Sequence, residues 1–170
     1  MAEIINVYKE LIPPVRFIGK CYTHEDGQGC GYGHRWDEWF GNGWFDVLEG
    51  LGKIEGIEDG QLGFIRGIPE HGGYWIGMFL PPGTEVPDGF ASFDLDEGHV
   101  GVCWIKGPEN DGSIYGMHEQ CLQALREKGM GDFLGGGPEP AFFFERYVCP
   151  RFTHADEQGN IILDYGVYLK

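Results

Sequence analysis

Residues 141–148 constrain the fold more than any other stretch, and they read AFFFERYV. Aromatic residues favour a β-strand, and Pro150 ends it because proline cannot donate a backbone hydrogen bond. Strand alternation puts Phe143, Glu145 and Tyr147 on one face. A carboxylate among rings costs several kcal/mol unless it is paired, protonated or matched by a ligand. The segment therefore predicts either an ion pair for Glu145 or a ligand site beside it.

Length and composition indicate one folded domain over residues 1–170, because 42% of the 170 residues are apolar and can form a core. The chain has 12 Lys and Arg against 27 Asp and Glu, for a net charge of −15. This charge disfavours binding to a phosphate backbone and attracts cations. Five cysteines without a Cys-x-x-Cys pair indicate reduced thiols. With no signal peptide and no apolar run of membrane length, we expect a cytoplasmic protein without membrane contact.

The hydrophobic periodicity predicts alternating strands and helices along the chain. The predicted elements are a lead-in over 1–13, a strand over 15–22, a helix over 36–51, strands over 64–68 and 73–80, a hairpin of 89–96 with 99–106, a helix ending at Gly129, and paired strands over 141–149 and 161–169. This order predicts an α+β fold of two similar halves, about 14–86 and 87–170, with mostly antiparallel sheets and a central cleft.

Three stretches resemble one known family: FERY at 144–147, PRF at 150–152 and ILDYGVYL at 162–169. They resemble the GyrI-like family, the effector-binding domains of AraC-type and MerR-type multidrug-responsive regulators, which also occur alone. The resemblance covers about residues 14–170. It implies two βαββ halves around an aromatic pocket that takes lipophilic, often cationic compounds, with Glu145 at the acidic position of the pocket. No helix-turn-helix segment precedes residue 14, so we expect a stand-alone binding protein without direct DNA contact.

Aromatic side chains are the candidate walls of this pocket, since ring faces attract cations by about 0.5–2 kcal/mol per contact. The candidates are Trp75, Trp104, Tyr115, Phe143, Tyr147 and Tyr165. Each of them also fits ordinary core packing. Glu145 would supply the counter-charge, and no cofactor is expected.

Two alternative functions follow from the same resemblance. Some stand-alone members of the family hydrolyse strained cyclopropane rings of DNA-alkylating natural products, which would make Glu145 and Tyr147 the catalytic pair. A family member that inhibits DNA gyrase suggests instead a protein-binding module whose acidic surface imitates DNA. The acidic residues here are scattered through loops rather than arrayed in one dense run, which disfavours this reading.

A zinc site is a further alternative, independent of the resemblance. Two thiols and two imidazoles lie within fourteen residues, at Cys21, His24, Cys30 and His34. A tetrahedral zinc takes such ligands, but the spacing does not match the usual pair of knuckles. The four side chains also fit a strand, a loop and a helix start that carry them without any metal.

Overall fold

The structure of the chain is a computed structural model that describes residues 1–23, 32–58, 60–66, 73–135 and 142–170. Its strands are β1 (Glu3–Ile12), β2 (Val15–Tyr22), β3 (Gln61–Arg66), β4 (Gly73–Leu80), β5 (Ala91–Leu95), β6 (Gly98–Pro108), β7 (Phe142–Tyr147) and β8 (Asn160–Tyr168). Its helices are α1 (Gly33–Asn42), α2 (Trp44–Glu49), a short 3₁₀ helix (Ser113–Gly116) and α3 (His118–Glu127). None of the helices in these ranges combines the length and the apolar character needed to cross a membrane.

The strands form one antiparallel sheet in the order β1-β6-β8-β7-β3-β4-β2-β5. The order β2, α1–α2, β3, β4 is repeated as β6, α3, β7, β8, and the two units meet where β3 pairs with β7. The predicted α+β class with two βαββ halves is therefore confirmed. The strand that precedes each unit pairs within the other unit: β1 with β6, and β5 with β2.

Two predicted segments differ from the structure. Residues 1–13, expected as a lead-in, contain β1, which is paired with β6 over most of its length. The predicted hairpin of 89–96 with 99–106 is wrong, because β5 and β6 do not pair with each other. Strand β6 is hydrogen-bonded on both edges, to β1 and β8, and this leaves no edge for β5. The ring of Phe93 on β5 instead stacks on Phe17 of β2, with centroids 5.0 Å apart.

The predicted helix over 36–51 consists of two helices, α1 and α2. They are separated at Gly43, whose φ of +67° lies in the left-handed region that glycine adopts without strain. The break turns Trp39 of α1 and Leu48 of α2 toward the sheet, where both are fully buried against β2 and β4. Helix α3 packs on the other half of the sheet through Cys121 and Leu125.

The two sides of the sheet have different surroundings. The side on which the helices pack, here called the helix face, includes Ile76 of β4 and Tyr165 of β8. The opposite face forms a single aromatic core in which Phe17, Phe64 and Phe144 bring distant strands together. Residues paired directly across neighbouring strands share a face, so the register assigns Glu145 to the helix face together with Tyr165. The centre of the helix face, on β3 and β7, thus lies between the two helix-covered clusters.

Candidate functional site

Glu145 lies near the middle of the sheet, paired with Gly63 of β3 on one side and Tyr165 of β8 on the other. The hydroxyl of Tyr147 donates a hydrogen bond to Glu145 Oε2 at 2.7 Å. Burial raises the pKa of Glu145 above its ordinary value, and the hydrogen bond from Tyr147 opposes this shift. The side chain nevertheless keeps part of its surface open to solvent. A group that is both closely surrounded and partly accessible is typical of the floor of a concave site.

In the parts of the chain that the structure describes, no arginine or lysine forms a salt bridge with Glu145. The adjacent Arg146 points to the opposite face. There its guanidinium binds Glu10 at 3.0 Å and Asp164 at 3.0 and 3.1 Å. Strand alternation therefore puts Glu145 and the arginine that follows it in sequence on opposite faces of the sheet. Arg146 does not form the ion pair that the sequence allowed for Glu145.

Phenol groups from four elements lie within electrostatic range of the carboxylate. The charge of Glu145 contributes to raising the pKa of four tyrosines, although burial is the largest cause in each case: Tyr74, Tyr115, Tyr147 and Tyr165. They come from β4, the 3₁₀ helix, β7 and β8. We call Glu145 and these four residues the Glu145 site. It combines one negative charge with ring surface, which is the chemistry that recognises an organic cation.

Helix α1 forms one wall of the site. Trp36 Nε1 donates a hydrogen bond to the hydroxyl of Tyr74 at 2.9 Å, and its ring meets that of Tyr147 edge-on with centroids 4.8 Å apart. Tyr32 stacks on Tyr74 with centroids at 4.4 Å. Tyr74 can lie across β3 only because Gly63 has no side chain, since a Cβ at Gly63 would be 2.3 Å from the Tyr74 hydroxyl oxygen. Glycine at this position therefore places a phenol beside the carboxylate.

Helix α3 forms the other wall. His118 Nδ1 is hydrogen-bonded to the hydroxyl of Tyr165, and the imidazole lies 4.8 Å from the ring centroid of Phe143. Phe143 in turn stacks with Tyr165, with centroids 5.5 Å apart. These contacts fix the orientation of the Tyr165 ring and extend the aromatic surface from β8 toward α3.

The structure brings some of the predicted wall residues together and separates others. Phe143, Tyr115, Tyr147 and Tyr165 lie in or against the Glu145 site. Their role in ligand binding stays a prediction.

The two predicted tryptophans lie on the opposite face and do not belong to the site. Trp75 packs against Phe17 and Phe93 in the aromatic core. Trp104 lies under the guanidinium of Arg151, which is 4.4 Å from its ring centroid. Both strands that carry them are apolar on two faces, so alternation in the sequence could not show which aromatic faces the helices.

Sequence reasoning missed Tyr74 of the Glu145 site and two residues of its walls, Trp36 and His118. Tyr74 directly precedes Trp75 in β4 and lies on the other face, and only the register of β4 with β3 identifies it as the relevant aromatic. Trp36 begins the predicted helix over 36–51, and only the packing of α1 on the sheet places it beside Tyr74 and Tyr147. His118 begins α3, and only the packing of that helix on the sheet brings its imidazole to the hydroxyl of Tyr165.

The zinc prediction is only partly covered by the structure. His24 and Cys30 lie outside the described residues. Cys21 is on β2, paired with Trp75, and His34 is exposed in the first turn of α1. Within the described ranges, no three His, Cys, Asp or Glu side chains are grouped so that they could hold a metal ion.

A cavity of about 360 Å³ adjoins the Glu145 site on the side of Tyr147. Tyr147 is part of its wall and simultaneously contacts Glu145 through its hydroxyl. The other lining residues come from the end of α2 and the following loop, from β3 and β4, and from the loop after β7: Glu49, Gly52, Lys53, Gly60, Gln61, Met78, Cys149 and Thr153.

Comparison with known proteins identifies the fold. No protein-family profile and no curated sequence matches the chain. Two solved structures are similar over nearly the whole chain. SAV2435 bound to tetraphenylphosphonium superposes with a TM-score of 0.68. A proposed bacterial transcription regulation protein of Staphylococcus aureus MU50 superposes with a TM-score of 0.64. The identities are 12% and 14%, and the alignments cover 98% of this chain and 94% and 99% of the other two.

EcmrR, solved in complex with DNA, is also similar, with a TM-score of 0.54 and 9% identity. Its alignment covers 95% of this chain but 56% of EcmrR. Identities this low establish the fold and not the activity. The similarity over nearly the full chain, together with the two βαββ units that meet at β3 and β7, shows that this protein has the GyrI-like fold.

Proposed function

We propose that this protein binds lipophilic cationic small molecules at the Glu145 site. The observation that carries the proposal is the environment of Glu145, a half-buried carboxylate without a salt bridge in the described chain. It accepts a hydrogen bond from Tyr147 and is paired across strands with Tyr165, and its charge also acts on Tyr74 and Tyr115. An acid in this position is unfavourable for the free protein, because burial opposes its charge. A bound cation would compensate that charge, and ring faces would cover the rest of the ligand.

Delocalised organic cations fit this chemistry better than inorganic ions do. Their charge is spread over a large apolar surface, so little hydration free energy is lost when they enter an aromatic site. The similarity to SAV2435, whose structure contains tetraphenylphosphonium, supports the same class of ligand. The net charge of −15 adds a long-range field that attracts cations.

The test is a fluorescence titration with a lipophilic cationic dye and an uncharged analogue of similar shape. We expect saturable binding of the cation and weaker binding of the analogue. Glu145→Gln should weaken cation binding by about 10- to 100-fold, since an interaction with a charged group contributes roughly 1.5–3 kcal/mol. Glu127→Gln, which removes an exposed acid at the C-terminal end of α3, is the matched control and should leave the affinity unchanged. Equal losses for the cation and the analogue in Glu145→Gln would remove Glu145 from recognition.

A hydrolase is the second candidate, favoured by one observation. Tyr147 donates a hydrogen bond to a carboxyl group whose pKa is raised by burial, and a carboxyl group that keeps its proton to higher pH than usual is suited to act as a general acid. Mass analysis of the recovered compound separates the two functions. A compound recovered intact supports binding alone, whereas a strained-ring substrate recovered with one added water would identify an enzyme that uses Glu145 and Tyr147.

A further inference from the structure

The cavity beside Tyr147 has no role in the function proposed above. We propose that it receives the uncharged body of an elongated ligand whose cationic group binds Glu145. The inference rests on the proposed function, because it specifies the class of ligand that the same site takes. It predicts a preference for elongated cations over compact ones.

The first argument is the alignment of the cavity with the carboxylate. Tyr147 lines the cavity, and Glu145 precedes it by two residues on the same face of β7. Two residues of a strand span about 7 Å. The paired strand repeats the arrangement, since Gln61 lies opposite Tyr147 and lines the cavity, whereas Gly63 lies opposite Glu145. The cavity and the Glu145 site therefore follow one another along the same strand pair.

The second argument is the chemistry of the cavity wall. Its volume of about 360 Å³ falls within the range of small-molecule sites. Met78 provides an apolar surface, and Gln61 and Thr153 provide an amide and a hydroxyl. Glu49 and Lys53 carry opposite charges, so the wall has no net charge. Such a compartment favours an uncharged body with a few polar groups and not a second cationic centre.

The third argument is the position of the Tyr147 ring between Glu145 and the cavity. It is held edge-on by Trp36 at 4.8 Å and by Phe152 at 4.7 Å, and its hydroxyl is held by Glu145 at 2.7 Å. A planar ligand that reaches from Glu145 into the cavity would run along this ring. A compact cation would contact the Glu145 site alone.

The test compares an N-methylstyrylpyridinium dye, which is elongated and fluorescent, with N-methylpyridinium, which is its compact charged group. Thr153 is exposed at the cavity, so Thr153→Phe should fill the space without disturbing the core. We expect this variant to lower the affinity for the styryl dye by about tenfold and to leave the affinity for N-methylpyridinium unchanged. Gln158→Phe, at an exposed position of the same loop, is the matched control and should change neither affinity. Unchanged binding of the styryl dye to Thr153→Phe would overturn the inference.

Cys149 provides an independent measurement of where the ligand lies. It is a free, exposed thiol that lines the cavity, whereas Cys103 and Cys121 are buried. Saturating styryl dye should slow the alkylation of Cys149 by iodoacetamide several-fold, as measured by peptide mass spectrometry, with Cys21 as the internal reference. N-methylpyridinium at saturation should leave the rate unchanged. An unchanged Cys149 rate with the styryl dye bound would contradict occupancy of the cavity.

The outcomes distinguish this inference from the proposed function. If neither cation binds, or if Glu145→Gln changes the affinity for neither of them, the proposed function itself is wrong. If Glu145→Gln weakens both cations while Thr153→Phe and the Cys149 rate show no effect, cation binding stands and the role of the cavity is refuted.

Discussion

Replacing Arg146 by methionine should destabilise the protein more than removal of any exposed charge. Arg146 is 1% exposed and donates four hydrogen bonds of 3.0–3.1 Å, two to Glu10 and two to Asp164. Asp164 is completely buried and would keep Arg151 as its cationic partner, through bonds of 2.8 and 2.6 Å. Glu10, largely buried, would lose both hydrogen bonds from Arg146.

The expected loss follows from these contacts. Removing one partner of a buried ion pair costs about 3–5 kcal/mol, because the remaining charge stays desolvated. For a chain of this size, each kcal/mol lowers Tm by about 2–4 °C, so the melting temperature should fall by roughly 6–20 °C. The apolar part of methionine replaces much of the arginine stem, so lost packing contributes little.

Urea denaturation of the wild type and the variant, fitted with a common slope, measures the change in the free energy of unfolding. Arg16→Met serves as the control, since Arg16 pairs with the exposed Asp94 and should cost at most about 1 kcal/mol. Adding Glu10→Gln to Arg146→Met should restore part of the stability by removing the unpaired charge. A loss below about 1 kcal/mol for Arg146→Met, or no restoration in the double variant, would refute the reasoning from desolvated charge.

Two further predictions concern the site. Glu145→Gln should raise the free energy of unfolding at pH 7 and leave it nearly unchanged at pH 4. The folded state holds a proton on Glu145 at pH values where the unfolded state has lost it. The free energy of unfolding of the wild type therefore falls as the pH rises from the ordinary carboxyl pKa to the raised one, by about 1.4 kcal/mol per pH unit. Denaturation at both pH values measures this, and an equal difference at both would contradict it. Gly63→Ala should lower the free energy of unfolding by about 1–3 kcal/mol, because the added methyl group would overlap the Tyr74 hydroxyl. Gly41→Ala is the control, since a Cβ there has no neighbouring atom within 4 Å, and it should stabilise α1 by up to about 1 kcal/mol. Equal effects of the two substitutions on the urea midpoint would refute the close approach at Gly63.

Short-range patterns in the sequence were sufficient for part of the site. The alternation of residues 141–148 predicted that Phe143, Glu145 and Tyr147 share a face, and the structure has this arrangement. The expected pairing with the last strand, which is confirmed, brings Tyr165 directly beside Glu145. These inferences succeeded because they depend on a period of two residues and on strands that are close in sequence.

The rest of the site depends on register between distant strands. Strands β4 and β6 are apolar on both faces, so Trp75 and Trp104 were as good candidates in the sequence as Tyr74 was. A shift of one residue in the pairing would exchange the two faces, and no local pattern determines it. The short connection at 96–98 likewise indicated a hairpin, although the adjoining strands pair with other partners.

The crossed positions of β1 and β5 make the two halves mutually dependent. Each half contributes its leading strand to the sheet of the other, as two subunits do in a domain-swapped dimer, but here within a single chain. A cut between residues 86 and 87 would leave each fragment with a strand that has no partner of its own. We therefore expect the separate fragments to remain unfolded and to recover the fold when mixed, by reciprocal complementation.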